Sequence, residues 1–244
     1  MAEHNDERKQ QRAVIKMVNN LKTKDGTLGM NSKHPVISKR IEVFEQKGWW
    51  GDKTLNDMLR EAVHSTPEQL ALMDQPNKSE ILEGEAQRFT WRELDQEVGF
   101  YAAGLKELGL NRGDIVLTQL PNVSELVVLF LAASRLGVII SPVPVQYGRH
   151  EIESIACQLK PTVFIGATHS GKYDLTDGVV DVDVGKRAWF GAGGPVKDAS
   201  LDRIVGALKK SGAGVIDDQV NDANGVFTVC WTSGTSGAPK GVPR

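Results

Sequence analysis

Apolar residues recur at helical spacing in the middle of the chain. Between Leu94 and Leu108 they return at intervals of three and four, which predicts a helix with one buried face. Thr90 and Glu93 have the spacing of a capping box, so the helix is expected to begin there. Gly109 follows the last apolar position and predicts a left-handed stop.

The segment that follows alternates short apolar strands with helices. Strands are predicted at 114–118, 138–140 and 162–165, and helices at 122–136 and 152–159. Parallel strands joined by helices require right-handed crossovers, which place helices on both faces of the sheet. The sequence therefore predicts an α/β fold with a parallel sheet flanked by helices.

Weaker patterns surround this core. A helix is predicted at 54–64 and a short strand at 70–73, before the capped helix. Downstream, alternation from Val179 to Val184 predicts a half-exposed strand, and the apolar run from Val226 to Trp231 predicts a buried one. Residues 1–35 are polar and predict an appended helix and linker, which leaves 36–244 for the globular part.

Composition narrows the range of partners. The formal net charge of −2, without a basic stripe, argues against a nucleic-acid surface. The longest apolar run, Leu126 to Ala133, is too short to span a bilayer. Cys157 and Cys230 lie far apart in apolar contexts, which predicts buried thiols in a reducing compartment. We therefore expect a cytoplasmic protein with neither nucleic acid nor membrane as a partner.

The residues with the clearest chemistry lie close to Arg244, in the run Thr232-Ser-Gly-Thr-Ser-Gly-Ala-Pro-Lys240. Small residues let backbone N–H groups turn inward around an anion, and Lys240 adds a positive charge. A Ser/Gly-rich linker is the alternative, but the run follows a predicted strand and carries Pro239 before the lysine. It is not a Walker A loop, because no glycine directly precedes Lys240 and Gly241 follows it.

This run resembles, position for position, the phosphate loop of the adenylate-forming, or AMP-binding, enzyme superfamily. Phe89-Thr-Trp-Arg-Glu-Leu94 and the stretch from Leu131 to Pro144 resemble two further motifs of that superfamily. The resemblance covers roughly residues 40–244 and is most similar to carboxylate–CoA ligases. It implies the N-terminal subdomain of that fold, ending just after the phosphate loop.

The resemblance also implies a reaction and a site. A carboxylic acid reacts with ATP to give an acyl-adenylate and pyrophosphate, and the acyl group then passes to CoA. Two glycines would let the loop fold over the phosphates, and Lys240 would either pair with the γ-phosphate or hold the loop in shape. The implied ATP-binding residues are Thr232, Ser233, Gly234, Thr235, Ser236, Gly237 and Lys240.

The rest of the machinery is expected downstream of Arg244. The resemblance implies that Mg²⁺ and the adenine are held mainly there, together with the catalytic lysine, so no catalytic or metal-binding residue is assigned in this chain. We therefore expect the chain to be inactive alone, with residues 54–165 ordered and those after Trp231 mobile.

Other readings of the sequence stay open or are disfavoured. An aryl-acid or amino-acid adenylating enzyme that loads a carrier protein is one alternative, and a non-catalytic α/β interaction module is another. The five histidines lack metal-ligand spacing. Ser233 lacks a nucleophile-elbow context, and Asp181 with Asp183 is more typical of a solvated strand face.

Overall fold

The computed structural model describes residues 42–49, 51–179, 181–212, 223, 225–232 and 239–244. The predicted helix within 1–35 lies outside them. A short helical segment occupies 42–46. The elements that follow are, in chain order, α1 (Leu55–Ser65), β1 (Leu70–Met73), a 3₁₀ turn (Lys78–Glu80), β2 (Arg88–Thr90), α2 (Trp91–Glu107), β3 (Ile115–Gln119), α3 (Ser124–Leu136), β4 (Ile139–Pro142), α4 (Arg149–Leu159), β5 (Val163–Ala167), β6 (His169–Ser170), β7 (Tyr173–Asp174), β8 (Lys186–Phe190), β9 (Ala199–Ser200), α5 (Leu201–Ser211), β10 (Val229–Thr232) and β11 (Lys240–Pro243).

A five-stranded sheet in the order β4-β3-β5-β8-β9 organises the fold. Each pair of neighbouring strands is parallel. The predicted α/β class with a parallel sheet flanked by helices is therefore confirmed.

The sheet buries both faces, because successive side chains of a strand point to opposite sides. In β5, Val163 and Ile165 pack with α2, α3 and α5, whereas Phe164 packs with α4 on the other side. This two-sided burial explains why the strands appear in the sequence as continuous apolar runs rather than alternating ones.

Helix α2 forms as its sequence predicts. Thr90 Oγ1 accepts a hydrogen bond from the Glu93 N–H, and the Thr90 N–H donates to Glu93 Oε2 at 2.8 Å. These two bonds satisfy N–H groups that the first turn of a helix leaves free. The apolar stripe from Leu94 to Leu108 is buried, and Gly109 has a φ of +91° just after the helix.

The predicted strand at Val179–Val184 is wrong. Residues 181–184 form no strand, and the strand that follows them, β8, begins with Lys186 and Arg187 and pairs with β5 on the side away from β3. The chain bends before β8 at Gly185, where φ is +69° and a Cβ would lie 2.4 Å from the Thr162 carbonyl oxygen. Only glycine fits that bend.

A buried ionic cluster holds the start of α3. The residue before the helix, Val123, makes no capping hydrogen bond with its side chain. Asp74, the residue that follows β1, accepts hydrogen bonds from the Ser124 N–H at 2.7 Å and from the Ser124 hydroxyl at 2.9 Å. Lys78, with 2% of its surface exposed, forms ion pairs with Glu125 and Asp74. Four side chains thus join the β1–β2 connection to α3.

The Asp74 carboxylate has a pKa below its ordinary value. Burial alone would raise this pKa, but hydrogen bonds from Gln87 and Ser124, together with the Lys78 charge, outweigh it. A lowered carboxyl pKa stabilises the fold at neutral pH, and that contribution is lost as the pH falls through the lowered value.

The prediction that both cysteines are buried is wrong, since Cys157 and Cys230 are free and exposed. The buried stripe of α4 is Ile152, Ile155, Ala156 and Leu159, and it leaves position 157 on the outer face. None of the helices that the structure describes is both long and apolar enough to cross a membrane.

Candidate functional site

The predicted phosphate-binding residues lie on an antiparallel hairpin. Strand β10 pairs with β11, and Thr232 lies directly opposite Lys240. Both residues are exposed, and Thr232 Oγ1 lies 3.5 Å from the Lys240 carbonyl oxygen. The structure thus places the first and last residues of the run together. The other five predicted residues, Ser233, Gly234, Thr235, Ser236 and Gly237, lie outside the described residues.

The base of the hairpin is fixed to the edge of the central sheet at β4. Thr228 Oγ1 donates to the Ile140 carbonyl at 2.7 Å. Ser141 is fully buried; its hydroxyl donates to the Val229 carbonyl at 3.0 Å and accepts from Trp231 Nε1 at 2.8 Å. The hairpin therefore keeps one position relative to the parallel sheet.

The packing between the two strands also requires a glycine. Gly241 lies opposite Trp231, and a Cβ there would lie 3.1 Å from ring atoms of Trp231 and from Val229 Cγ1. The indole thus covers the glycine that follows Lys240. Gly241, which separates this sequence from a Walker A loop, has a packing role here.

The far side of the loop is braced by residues already in the chain. Gln158 Nε2, on α4, donates to the Pro239 carbonyl at 3.4 Å. Arg244 exchanges backbone hydrogen bonds with Thr228, of which the Arg244 N–H to Thr228 carbonyl bond is 2.8 Å. Strand pairing and these contacts join β11 to the rest of the fold, and the expected mobility of the residues after Trp231 stays a prediction.

The prediction of a buried strand at Val226–Trp231 also needs correction. Strand β10 is half exposed, with Val229 and Trp231 turned inward and Cys230 and Thr232 turned outward. The alternation follows from strand geometry. It places the Thr232 hydroxyl on the surface, where a ligand can reach it.

The exposed Lys240 has no fixed counter-charge in the described part of the chain. Among those residues, no ion pair involves its ammonium group. Together with the Thr232 hydroxyl it offers donors to an anion. This donor set fits phosphate oxygens.

The same donor set does not fit Mg²⁺, which prefers carboxylate and carbonyl oxygens. Within the described ranges, no group of three or more His, Cys, Asp or Glu side chains could hold a metal ion. Thr232 and Lys240 therefore do not form a Mg²⁺ site.

Replacing Ser141 with alanine should lower the free energy of unfolding by about 1–3 kcal/mol, because the Trp231 N–H loses its partner in a partly buried place. Combining Ser141→Ala with Trp231→Phe should cost less than the sum of the two single changes, and urea denaturation measures all three. Fully additive losses would show that the Ser141–Trp231 hydrogen bond does not stabilise the hairpin.

Sequence comparison with known proteins finds one matching family. A sequence profile of the AMP-binding enzymes matches residues 59–244. The chain is 29% identical over 201 residues to the propionate–CoA ligase of Salmonella typhimurium, covering 73% of this chain and 30% of that one. It is 37% identical over 95 residues to the vibriobactin-specific 2,3-dihydroxybenzoate-AMP ligase of Vibrio cholerae, covering 39% and 16%.

A solved structure agrees with these sequence matches. The apo structure of Mycobacterium smegmatis MbtA superposes with a TM-score of 0.70 at 25% identity, covering 85% of this chain and 36% of that one. The chain spans about a third of the length of curated relatives that match most of it. The profile match over three quarters of the chain, the parallel sheet and the hairpin agree, and the chain belongs to the AMP-binding enzymes of the adenylate-forming superfamily.

Proposed function

We propose that this chain holds the triphosphate of ATP in an enzyme that activates a carboxylic acid as its acyl-adenylate and passes the acyl group to CoA. The hairpin that sets Thr232 opposite Lys240 carries this proposal. The six residues between Thr232 and Pro239 are Ser, Gly, Thr, Ser, Gly and Ala, which suit a loop lined with N–H and hydroxyl donors.

The residues of this chain act on the leaving group. In the first step a carboxylate oxygen bonds to the α-phosphorus, and the bond from that phosphorus to the oxygen bridging to the β-phosphate breaks. Negative charge grows on the departing pyrophosphate. Donors held by the fold lower the energy of that state without having to reorganise. Thr232, Ser233, Thr235 and Ser236 are proposed as those donors.

Lys240 has two roles that differ in their consequences. Its ammonium can pair with the γ-phosphate, in which case charge is essential and geometry less so. It can instead hold the loop in shape, in which case a residue of similar length keeps much of the effect. Gly234 and Gly237 are proposed to let the loop approach the phosphates closely.

The relatives fall into two groups, CoA ligases and aryl-acid AMP ligases. Propionate–CoA ligase is a CoA-dependent relative, and the 2,3-dihydroxybenzoate-AMP ligase represents aryl-acid activation. We favour CoA because the CoA ligase match covers more of this chain, 73% against 39%. Transfer of an aryl acid or amino acid to a carrier protein is the second candidate, since the aryl-acid match has the higher identity.

We also propose a role for each part of the chain. Residues 1–35 are proposed as an appended extension, and 36–244 as the N-terminal part of the AMP-binding domain. The remaining two thirds found in relatives would supply the adenine site, Mg²⁺ and the catalytic lysine. The chain alone is then inactive, and its substrates are the acid, ATP and CoA.

Exchange of labelled pyrophosphate into ATP, dependent on an added carboxylic acid, tests this proposal. We expect no exchange by the 244-residue chain alone and sustained exchange by the chain continued to the length of its relatives. Sustained exchange by the short chain would show that the adenine site lies within it. No exchange by the long protein with short-chain, medium-chain and aryl acids would favour a non-catalytic interaction module.

A further inference from the structure

The hairpin that carries Lys240 shares its buried contacts with helix α4. Val229 and Trp231 of β10 pack against a hydrophobic cluster that includes the inner face of that helix. The helix residues in this cluster are Ile152, Ile155, Ala156 and Leu159. Because close-packed interiors resist small displacements, α4 gives the hairpin a rigid neighbour.

Gln158 extends this contact to Pro239, the residue before Lys240. Its amide nitrogen donates to the Pro239 carbonyl at 3.4 Å and to the Ser154 carbonyl at 3.1 Å. A side-chain amide has two N–H groups, so both bonds can form at once. The bond to Ser154, one turn earlier on α4, restricts the Gln158 side chain to the conformation that reaches Pro239.

The Pro239 carbonyl is directly linked to the predicted phosphate-binding lysine. This carbonyl and the Lys240 nitrogen belong to one planar peptide unit. A hydrogen bond to the carbonyl therefore restricts the backbone from which the Lys240 side chain extends. Strand pairing with Thr232 restricts the same residue from the β10 side.

The Gln158 bond is not what attaches the hairpin to the fold. Contacts from β4 already fix the other end of the hairpin, where Thr228 donates to the Ile140 carbonyl and Trp231 donates to Ser141. The Gln158 bond acts instead at the end of the run 232–240. Its loss should therefore change the placement of Lys240 more than the stability of the protein.

We propose that Gln158 is a positioning residue for acyl-adenylate formation: it holds the Pro239–Lys240 peptide so that Lys240 is in place for the step that releases pyrophosphate. The inference rests on the proposed function of the hairpin. Gln158 acts through Lys240 and makes no contact with ATP. Groups fixed before the reaction stabilise the developing charge without having to reorganise.

Single-turnover formation of the acyl-adenylate, in the chain continued to the length of its relatives, tests this role. Gln158→Met keeps the side-chain length and removes the donor, and it should slow this step about fivefold, the rate equivalent of one neutral hydrogen bond. Gln158→Lys keeps a donor nitrogen at the C-terminal end of a helix, where a positive charge is favourable, and should restore most of the rate. Glu153→Met, at an exposed position of α4, is the matched control and should change nothing.

A double-mutant cycle determines whether Gln158 acts through Lys240. In the Lys240→Ala background, Gln158→Met should have almost no further effect on the rate. Equal slowing with and without the lysine would overturn the proposal. If Lys240→Ala itself leaves the rate unchanged, the proposed function of the hairpin fails and the role of Gln158 fails with it. If Lys240→Ala slows the step but Gln158→Met behaves like Glu153→Met, the role of Gln158 alone is refuted.

Urea denaturation separates positioning from a structural role. The midpoint for Gln158→Met should match that for Glu153→Met, because the hairpin keeps its contacts with β4. A slower rate that comes with a lower midpoint would assign Gln158 a structural role and overturn the proposal.

Discussion

Replacing Lys240 with alanine, in the chain continued to the length of its relatives, is expected to slow acyl-adenylate formation about a hundredfold. The exposed ammonium has no ion-pair partner among the described residues, so a bound polyphosphate would be its counter-charge. One fixed donor to a developing anion contributes about 3 kcal/mol to transition-state stability, which corresponds to roughly that factor in rate. Transfer of the acyl group to CoA should be nearly unchanged, because pyrophosphate has already left.

Single-turnover measurements of the two half-reactions separate these outcomes. Lys240→Met distinguishes the two proposed roles: it should lose most of the rate if the charge is what matters, and retain much of it if a side chain of this length holds the loop in shape. Lys210→Ala, on an exposed position of α5, is the matched control and should leave both half-reactions intact. Equal losses in both half-reactions for Lys240→Ala would contradict a role confined to the leaving group.

Replacing Lys78 with methionine is expected to lower the free energy of unfolding by about 3–5 kcal/mol, the usual cost of removing one partner from a buried ionic cluster. Methionine keeps the unbranched apolar stem, so the change isolates the charge. It leaves Asp74 and Glu125 facing each other without a cation, while Lys78 itself is almost wholly buried. Urea denaturation followed by circular dichroism measures the loss.

Two further variants sharpen that test. Lys53→Met removes an exposed ion pair with Glu61 and should leave the denaturation midpoint almost unchanged. Adding Glu125→Gln to Lys78→Met should recover part of the lost stability, because it removes one of the two unpaired carboxylates. A loss for Lys78→Met no greater than for Lys53→Met would mean that the cluster does not hold α3 in place.

The sequence was most informative where local signals agree with tertiary burial. The Thr90–Glu93 capping box, the apolar stripe of α2 and the apolar run of α3 each predict an element that the structure contains. The capping box and the stripe depend on residues three or four positions apart, and the α3 run is continuous, so each signal is contained in a short stretch of sequence.

Strand β8 illustrates why other elements were missed. It begins with Lys186 and Arg187, whose charges hide the apolar run Ala188-Trp-Phe190. The Lys186 ammonium is satisfied by the Leu108 carbonyl at 3.0 Å, a partner 78 positions away in sequence. No local pattern predicts that contact. The alternating valines at 179–184 gave a stronger strand signal, but that signal predicted a strand that does not form.

The candidate site was likewise predictable from the sequence only in part. Thr232 and Lys240 were found from residue types and spacing, but the register that sets them opposite each other depends on contacts from elsewhere. Ser141 on β4 and Gln158 on α4 hold the hairpin from about 80 to 90 positions away. Trp231 and Gly241 offered a signal, since a large aromatic and a glycine flank the loop, but only pairing shows that one covers the other.

Covalent labelling of Lys240 by an acyl-phosphate derivative of ATP tests most directly the claim that this hairpin holds the triphosphate. Such a probe carries its acyl group on the γ-phosphate and transfers it to an amine nearby. In the chain continued to the length of its relatives, we expect the peptide containing Lys240 to be acylated far more than the one containing Lys210, and excess ATP to suppress the labelling. Labelling of Lys240 no greater than that of Lys210, or unaffected by ATP, would contradict the account.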